Sequence, residues 1–236
     1  MIGVIGGAGV AATNKLCQLV EEYKTRNGAF RDAHHPEMVI WQATQVPSRS
    51  MYLEGKGPSW IEDYVEIGRK LKNCGCTELC MCCNTAHYAV DVLEQEIGIK
   101  VVNLLDLVAQ KVKSLGCKNV GIMCSDGLVK VGLYDKRFEI HAPESTLIYP
   151  DVEFQALVTK GICNAKNIQR FTEIGCLENP YNCFSSVVEH LKSKGCDCVV
   201  AGCTDVRNVF NYESSDIFYV DSLEVLVDYV CKEEVL

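Results

Sequence analysis

The chain has 236 residues, with 23 Lys and Arg against 31 Asp and Glu, a formal charge of −8 and a pI near 5.2. That acidic balance argues against nucleic acid or an anionic membrane surface as a partner. No apolar run reaches the roughly 18 residues of a spanning helix, and Met1-Ile2-Gly3 enters a strand-like run with no basic leader, so a cytoplasmic protein is expected. The 15 cysteines are odd in number and follow no export signal, which argues against a secreted disulfide framework. Many of them, including Cys80, Cys82, Cys124 and Cys198, fall in apolar runs and read as small buried hydrophobes. Cys74-x-Cys76 and Cys196-x-Cys198 lack zinc-ligand spacing, and alternate strand residues face opposite ways, so no metal is expected.

Strand and helix patterns alternate along the chain. Ile2 to Ile5 reads as a strand ended by Gly6-Gly7-Ala8-Gly9, followed by a helix with apolar spacing at Leu16, Leu19, Val20 and Tyr23. Met38 to Gln42 is the second strand, Ser59 to Leu71 a helix, Glu78 to Cys83 the third strand, Tyr88 to Glu96 a helix and Val101-Val102 the fourth strand. Leu105 to Gly116 is expected as a helix passing between two halves. The pattern then restarts: Asn119 to Cys124 and Leu147-Ile148 are strands, Phe154 to Thr159 and Ser185 to Lys194 helices, and Cys198 to Cys203 and Ile217 to Val220 strands.

Part of this restart is literal. Leu71-Lys72, Gly75-Cys76 and Cys83 recur 120 residues later as Leu191-Lys192, Gly195-Cys196 and Cys203. Alternating elements of this kind predict an α/β fold: two pseudo-symmetric domains, each a parallel sheet flanked by helices, with the active site in the cleft between them. The expected division is residues 1–103 with 217–236, and residues 104–216. Ligands of such sheets collect beyond the carboxyl ends of the strands. The candidate functional positions are therefore Gly6 to Thr13, Thr44 to Arg49, Cys83 to His87, Ser125 to Leu128 and Cys203 to Asp205.

Gly7-Ala8-Gly9-Val10-Ala11-Ala12 fits G-x-G-x-x-A, but the second strand ends Trp41-Gln42-Ala43-Thr44, without the acidic residue that a dinucleotide ribose requires. A loop of backbone donors receiving a carboxylate is the better reading. Arg49 offers a planar fork suited to a carboxylate. His87 reads as structural, and Asp106 and Asp221, after the fourth strand of each half, as helix caps.

Ile5-Gly6-Gly7-Ala8-Gly9 with Thr13, Val46-Pro47-Ser48-Arg49, Cys83-Asn84-Thr85-Ala86-His87, Gly132-Leu133-Tyr134 and Gly202-Cys203-Thr204 resemble the cofactor-independent aspartate/glutamate racemase family, its aspartate branch above all. The resemblance implies catalysis by Cys83 and Cys203. It implies substrate contacts from Gly7, Thr13, Arg49, Asn84, Thr85, Ser125, Lys160 and Thr204. It also implies an acidic amino acid as substrate, no cofactor and a homodimer. The chain departs from the family pattern at Val10, Leu128 and Asp205, where proline, threonine and glutamate are usual.

The chemistry agrees. Racemisation takes a proton from one face of Cα and returns one to the other, which calls for two groups, one entering as thiolate and one as thiol. Both cysteines are expected to precede a helix start, which would lower a thiol pKa, with Asn84, Thr85 and Thr204 as caps. Interconversion of L- and D-aspartate is therefore the expected function. A glutamate or broad-specificity racemase, and a non-catalytic acidic amino-acid binding protein on the same scaffold, are the alternatives. A redox role is disfavoured because Cys80-x-x-Cys83 lies on a strand that splays the pair.

Overall fold

The computed structural model describes residues 1–232. The first half runs β1 (Ile2–Gly6), α1 (Val10–Arg26), β2 (Met38–Gln42), α2 (Arg49–Glu54), α3 (Ile61–Asn73), β3 (Glu78–Met81), α4 (Val90–Ile97) and β4 (Lys100–Val101). The helix α5 (Leu104–Leu115) leads into the second half. There follow β5 (Asn119–Cys124), α6 (Asp126–Val131), α7 (Leu133–His141), β6 (Thr146–Ile148), α8 (Val152–Asn164), α9 (Pro180–Ser193), β7 (Cys198–Gly202), β8 (Phe218–Asp221) and α10 (Ser222–Cys231).

Two four-stranded sheets form, in the orders β2-β1-β3-β4 and β6-β5-β7-β8. Every pairing in them is parallel. The two orders are the same, so the sequence repeat is a repeat of topology. Its local cause is visible at the ends of α3 and α9. Gly75 N donates to Lys72 O and Cys76 N to Leu71 O; Gly195 N donates to Lys192 O and Cys196 N to Leu191 O. Each is a Schellman stop, made possible by a glycine with φ of 95° and 83° respectively. The chain is thereby turned from a helix end directly into a central strand.

The strands are buried on both faces. In β3, Cys80 faces the central core while Leu79 and Met81 face α3 and α4; in β7, Cys198 and Val200 face the centre while Val199 and Ala201 face α8 and α9. The central core also holds Leu16 of α1, Val108 of α5, Tyr134 of α7 and Leu226 of α10. One shared layer of helices therefore joins the halves.

The expected division needs one correction. β8 pairs with β7 over Cys198↔Phe218 to Ala201↔Asp221, so Phe218–Asp221 belong to the second sheet rather than with residues 1–103. The helix α10 that follows packs on both α1 and α5. Arg49 is the first residue of a helix, not a loop residue, because Ser48 accepts a hydrogen bond from Met51 N at 3.3 Å and caps α2. Among the described residues no helix is long and apolar enough to cross a membrane.

Asp221 caps α10 as expected, accepting from Leu223 N at 2.7 Å and Glu224 N at 3.3 Å. Burial, then Glu224, pushes its carboxyl from an ordinary 3.8 up to about 7, against the pull of Arg207 and the cap amides. A raised folded-state value means that the native state holds its proton longer than the unfolded chain. The stabilisation is full below about pH 4 and is lost as pH rises to 7. Asp221→Asn keeps a cap acceptor and removes the buried charge. The variant should gain more stability at pH 8 than at pH 5, read from urea midpoints; equal shifts at both pH values would contradict the assignment.

Candidate active site

The cleft opens at the carboxyl ends of β1, β3, β5 and β7. Cys83 is the second residue after β3, and Cys203 is the residue after β7. Both are free and half-buried. Neither precedes an α-helix. Cys83 leads into a 3-10 turn, Asn84–Ala89, and Cys203 is followed by Thr204-Asp205 and a three-residue 3-10 turn, Val206–Asn208. The helix-start effect expected at Cys203 is accordingly absent. Burial of its sulfur, then the Asp205 carboxylate, pushes its thiol up to about 12, against the pull of Lys166.

Opposite charges attend the two sulfurs. Arg49 stands beside Cys83. Its Nη1 donates to Val46 O at 3.3 Å and Pro47 O at 3.0 Å, and its guanidinium carbon lies 5.9 Å from the centre of the Tyr64 ring. Burial works against this charge, but Cys83, Tyr64 and Asp205 outweigh it and hold the guanidinium above its ordinary range. Its Nε is buried without a partner among the described residues. The tether spends Nη1 on two backbone carbonyls and holds the guanidinium against Cys83.

At Cys203 the neighbours are Asp205 and Lys166. Asp205 is 1% exposed. Its Oδ2 lies 3.9 Å from the Cys203 sulfur, which donates to it, and 3.0 Å from Lys166 Nζ. Burial, only partly offset by Lys166, raises the Asp205 carboxyl. Burial opposes the Lys166 charge, but Asp205 and then Cys203 outweigh it, with a smaller contribution from Cys83. Lys166 thus senses both sulfurs, and Arg49 senses both Cys83 and Asp205.

The other expected contacts divide. Thr85 Oγ1 and Ser125 Oγ are 3.2 Å apart and join the two halves at the cleft. Asn84 is buried away from it: its Nδ2 donates to Ser222 Oγ at 2.9 Å and its Oδ1 accepts from Tyr134 at 2.8 Å. Thr204 Oγ1 donates to Cys82 O at 3.2 Å. Neither residue caps a helix; both are struts. Gly7 N donates to Thr13 Oγ1 at 3.0 Å, and Thr13 in turn donates to Gly9 O at 3.1 Å, so these two shape the loop from within. Gly9 provides no side chain to cap α1, so no side-chain cap satisfies the first-turn amides of that helix.

Lys160 has Glu178, Cys183 and Cys176 as its charged neighbours, not Cys83 or Cys203. It pairs with Glu178 at 2.7 Å on the surface, with both side chains substantially exposed. The sequence reading ends its helix at Thr159, whereas α8 continues to Asn164 and Phe184 packs against Gly161. The lysine just beyond the helix end is therefore Lys166. Tyr64 was missed because a tyrosine at helical spacing reads as core. His87 is structural as expected: Nδ1 donates to Cys83 O at 2.9 Å, and burial drops its pKa to about 4, keeping it neutral. No group of three or more His, Cys, Asp or Glu among the described residues is placed to hold a metal.

The comparisons fit this geometry. The chain is similar along 94% of its length, at 22% identity, to a broad-specificity amino-acid racemase of Bacillus subtilis, covering 92% of that protein. It is 27% identical to a glutamate racemase of Corynebacterium diphtheriae over 68% of this chain and 60% of that one. The Picrophilus torridus aspartate racemase structure superposes with a TM-score of 0.81 at 23% identity, over 98% of this chain and 92% of that one. The model of the Asp/Glu/hydantoin racemase family matches residues 2–230. With paired cysteines at equivalent strand ends and that match over nearly its whole length, the chain belongs to the Asp/Glu/hydantoin racemase family, whose members are isomerases.

Proposed function

We propose that the chain interconverts L- and D-aspartate by two-thiol proton transfer. The observation that carries the reading is the opposed charge at the two cysteines: a guanidinium at Cys83, and a carboxylate with its lysine at Cys203. A thiolate at Cys83 takes the α-proton, and the C–H electron pair passes into the α-carboxylate as an enediolate. The Cys203 thiol then gives its proton to the opposite face. The product leaves Cys83 protonated and Cys203 as thiolate, whose new charge Lys166 faces. Exchange with water, or the reverse turnover, resets the pair.

The first-turn amides of α1 suit the α-carboxylate, where charge develops. The guanidinium of Arg49 suits the distal carboxylate. The broad-specificity relative supports a second reading with a wider range of amino acids. One methylene is worth only about 1–3 kcal/mol in an apolar pocket, so Arg49 selects an acid more sharply than it selects a length. The family resemblance further supports a cofactor-free homodimer in the cytoplasm.

Cys83→Ser and Cys203→Ser should each lower racemisation by about 100- to 10,000-fold with the fold kept, followed by chiral chromatography of aspartate. In D₂O the newly formed enantiomer should carry deuterium at Cα. Product that retains its original hydrogen, or full activity in either variant, would sink the mechanism. Absence of any exchange in the wild-type chain would favour the binding-protein alternative.

Lys166→Met should reduce kcat about tenfold or more, while Lys160→Met leaves it unchanged; Arg49→Gln should raise KM for aspartate by about ten- to a hundredfold. The reverse ranking of the two lysines would restore the sequence expectation.

The kcat/KM profile should fall on its alkaline side only at high pH, because Cys203 is held protonated up to about 12. Asp205→Asn removes the neighbouring negative charge and leaves Lys166 in place. The alkaline limb should then move to lower pH; an unmoved limb would show that Asp205 does not act on the thiol.

A further inference from the structure

The helix α2 follows β2 and so belongs to the first half by chain order, yet it packs chiefly on α6 of the second half. The contact begins at the N-terminus of α6. Ser125 occupies the capping position there, but its side chain caps nothing, and its hydroxyl lies 3.2 Å from that of Thr85. A helix start with no local cap needs another partner. It comes from the other half: Gly127 N donates to Ser50 Oγ at 3.3 Å, and that hydroxyl donates in turn to Glu54 Oε1 at 2.9 Å.

The approach is close enough to exclude a side chain. A Cβ on Gly127 would lie 2.8 Å from Ser50 Oγ, 3.0 Å from Ser50 O and 3.1 Å from Ser50 Cα. Two of these are backbone atoms, so turning a side chain does not relieve the overlap. Gly127 has no positive φ, and no turn requires a glycine there; the room taken by Ser50 does. The far end of α2 is held by the same helix, since Lys130 Nζ donates to Glu54 O at 2.7 Å. Between these contacts α2 has only six residues, too few to hold a helix without packing.

Arg49 is the residue before Ser50, and its guanidinium stands beside Cys83 of the first half. The carbonyls of Val46 and Pro47 that it meets lie in the loop leading into α2, so they travel with the helix rather than fix it. We propose that Ser50 and Gly127 are positioning residues for Arg49: α2 presents the guanidinium to the cleft only while it is docked on α6. The second half thereby sets the charge beside the first half's cysteine. The inference rests on the reading above, in which Arg49 anchors the distal carboxylate of the substrate. Loss of the dock therefore acts on substrate binding more than on proton transfer.

Gly127→Ala is the sharpest probe, because alanine is the better helix former and the atoms it would meet first belong to Ser50. Ser50→Ala deletes only the hydroxyl and tests the same contact from the other side. Modification by phenylglyoxal, resolved by peptide mass spectrometry, reads Arg49 without turnover, with the exposed Arg26 as internal standard. Relative to Arg26, Arg49 should react about threefold faster or more in each variant than in the wild type. An unchanged ratio in either variant would overturn the proposal, whether or not the chain racemises aspartate. In turnover, Gly127→Ala should raise KM for aspartate about tenfold with kcat changed less, and should add nothing to the loss in Arg49→Gln. Losses that add across the two substitutions would show a fault that bypasses Arg49, and would overturn it as well. A wild-type chain inert toward aspartate would instead refute the assigned reaction and leave the phenylglyoxal ratio to decide the dock.

Discussion

The hydrogen bond from Thr204 Oγ1 to the carbonyl of Cys82 ties together the two strand ends on which the site is built. Thr204 adjoins Cys203 and Cys82 adjoins Cys83, so a single buried contact fixes one cysteine-bearing peptide against the other. The amide of Asn84, held between Ser222 and Tyr134, repeats the tie one residue further on. These are hydrogen bonds withdrawn from solvent, where losing one partner strands the other and costs about 1–3 kcal/mol. A reaction that needs two sulfurs on opposite sides of one carbon tolerates little error in their separation. The struts give the cleft that rigidity.

Within this frame the near-symmetry of the halves is broken by charge. Equivalent strand ends carry equivalent thiols, yet one has an arginine from α2 and the other a carboxylate two residues along its own chain. Symmetric surroundings would leave the two thiols to compete for the same protonation state. In the proposed mechanism it is this inequality of neighbours that distinguishes the two roles. Lys166 faces both Asp205 and Cys203, so a positive charge offsets the carboxylate at that sulfur.

Much of this was legible in the sequence because it depends on local rules. Glycines at 75 and 195 stop two helices in the same way, and β2 and β5 fall where their apolar runs predict. The cysteine pair followed from the same repeat. What could not be read depends on tertiary burial. Asn84 and Thr204 carry the same polar groups whether they meet a substrate or a buried carbonyl, and only packing decides between those roles. Lys160 was named by resemblance alone; α8 runs on to Asn164, with the ring of Phe184 in the space a side chain at Gly161 would fill, and Lys160 pairs with Glu178. The helix α7 was missed because it buries only Leu133, Tyr134 and Phe138 in an otherwise polar segment.

The first loop and the second half also constrain each other directly. Gly9 adopts φ of 119°, open mainly to glycine, and a Cβ there would overlap the Asp205 carboxylate. Asp205 Oδ1 is buried against that backbone with no partner among the described residues, so its charge depends on Lys166 at the other oxygen. A longer acid at position 205 would have to reach past Gly9 or swing away from Lys166. The shorter aspartate, the glycine and the displaced lysine therefore form one solution: the carboxylate stays close enough to Cys203 to hold its proton, and the loop stays close enough to bring the N-terminus of α1 to the same cleft.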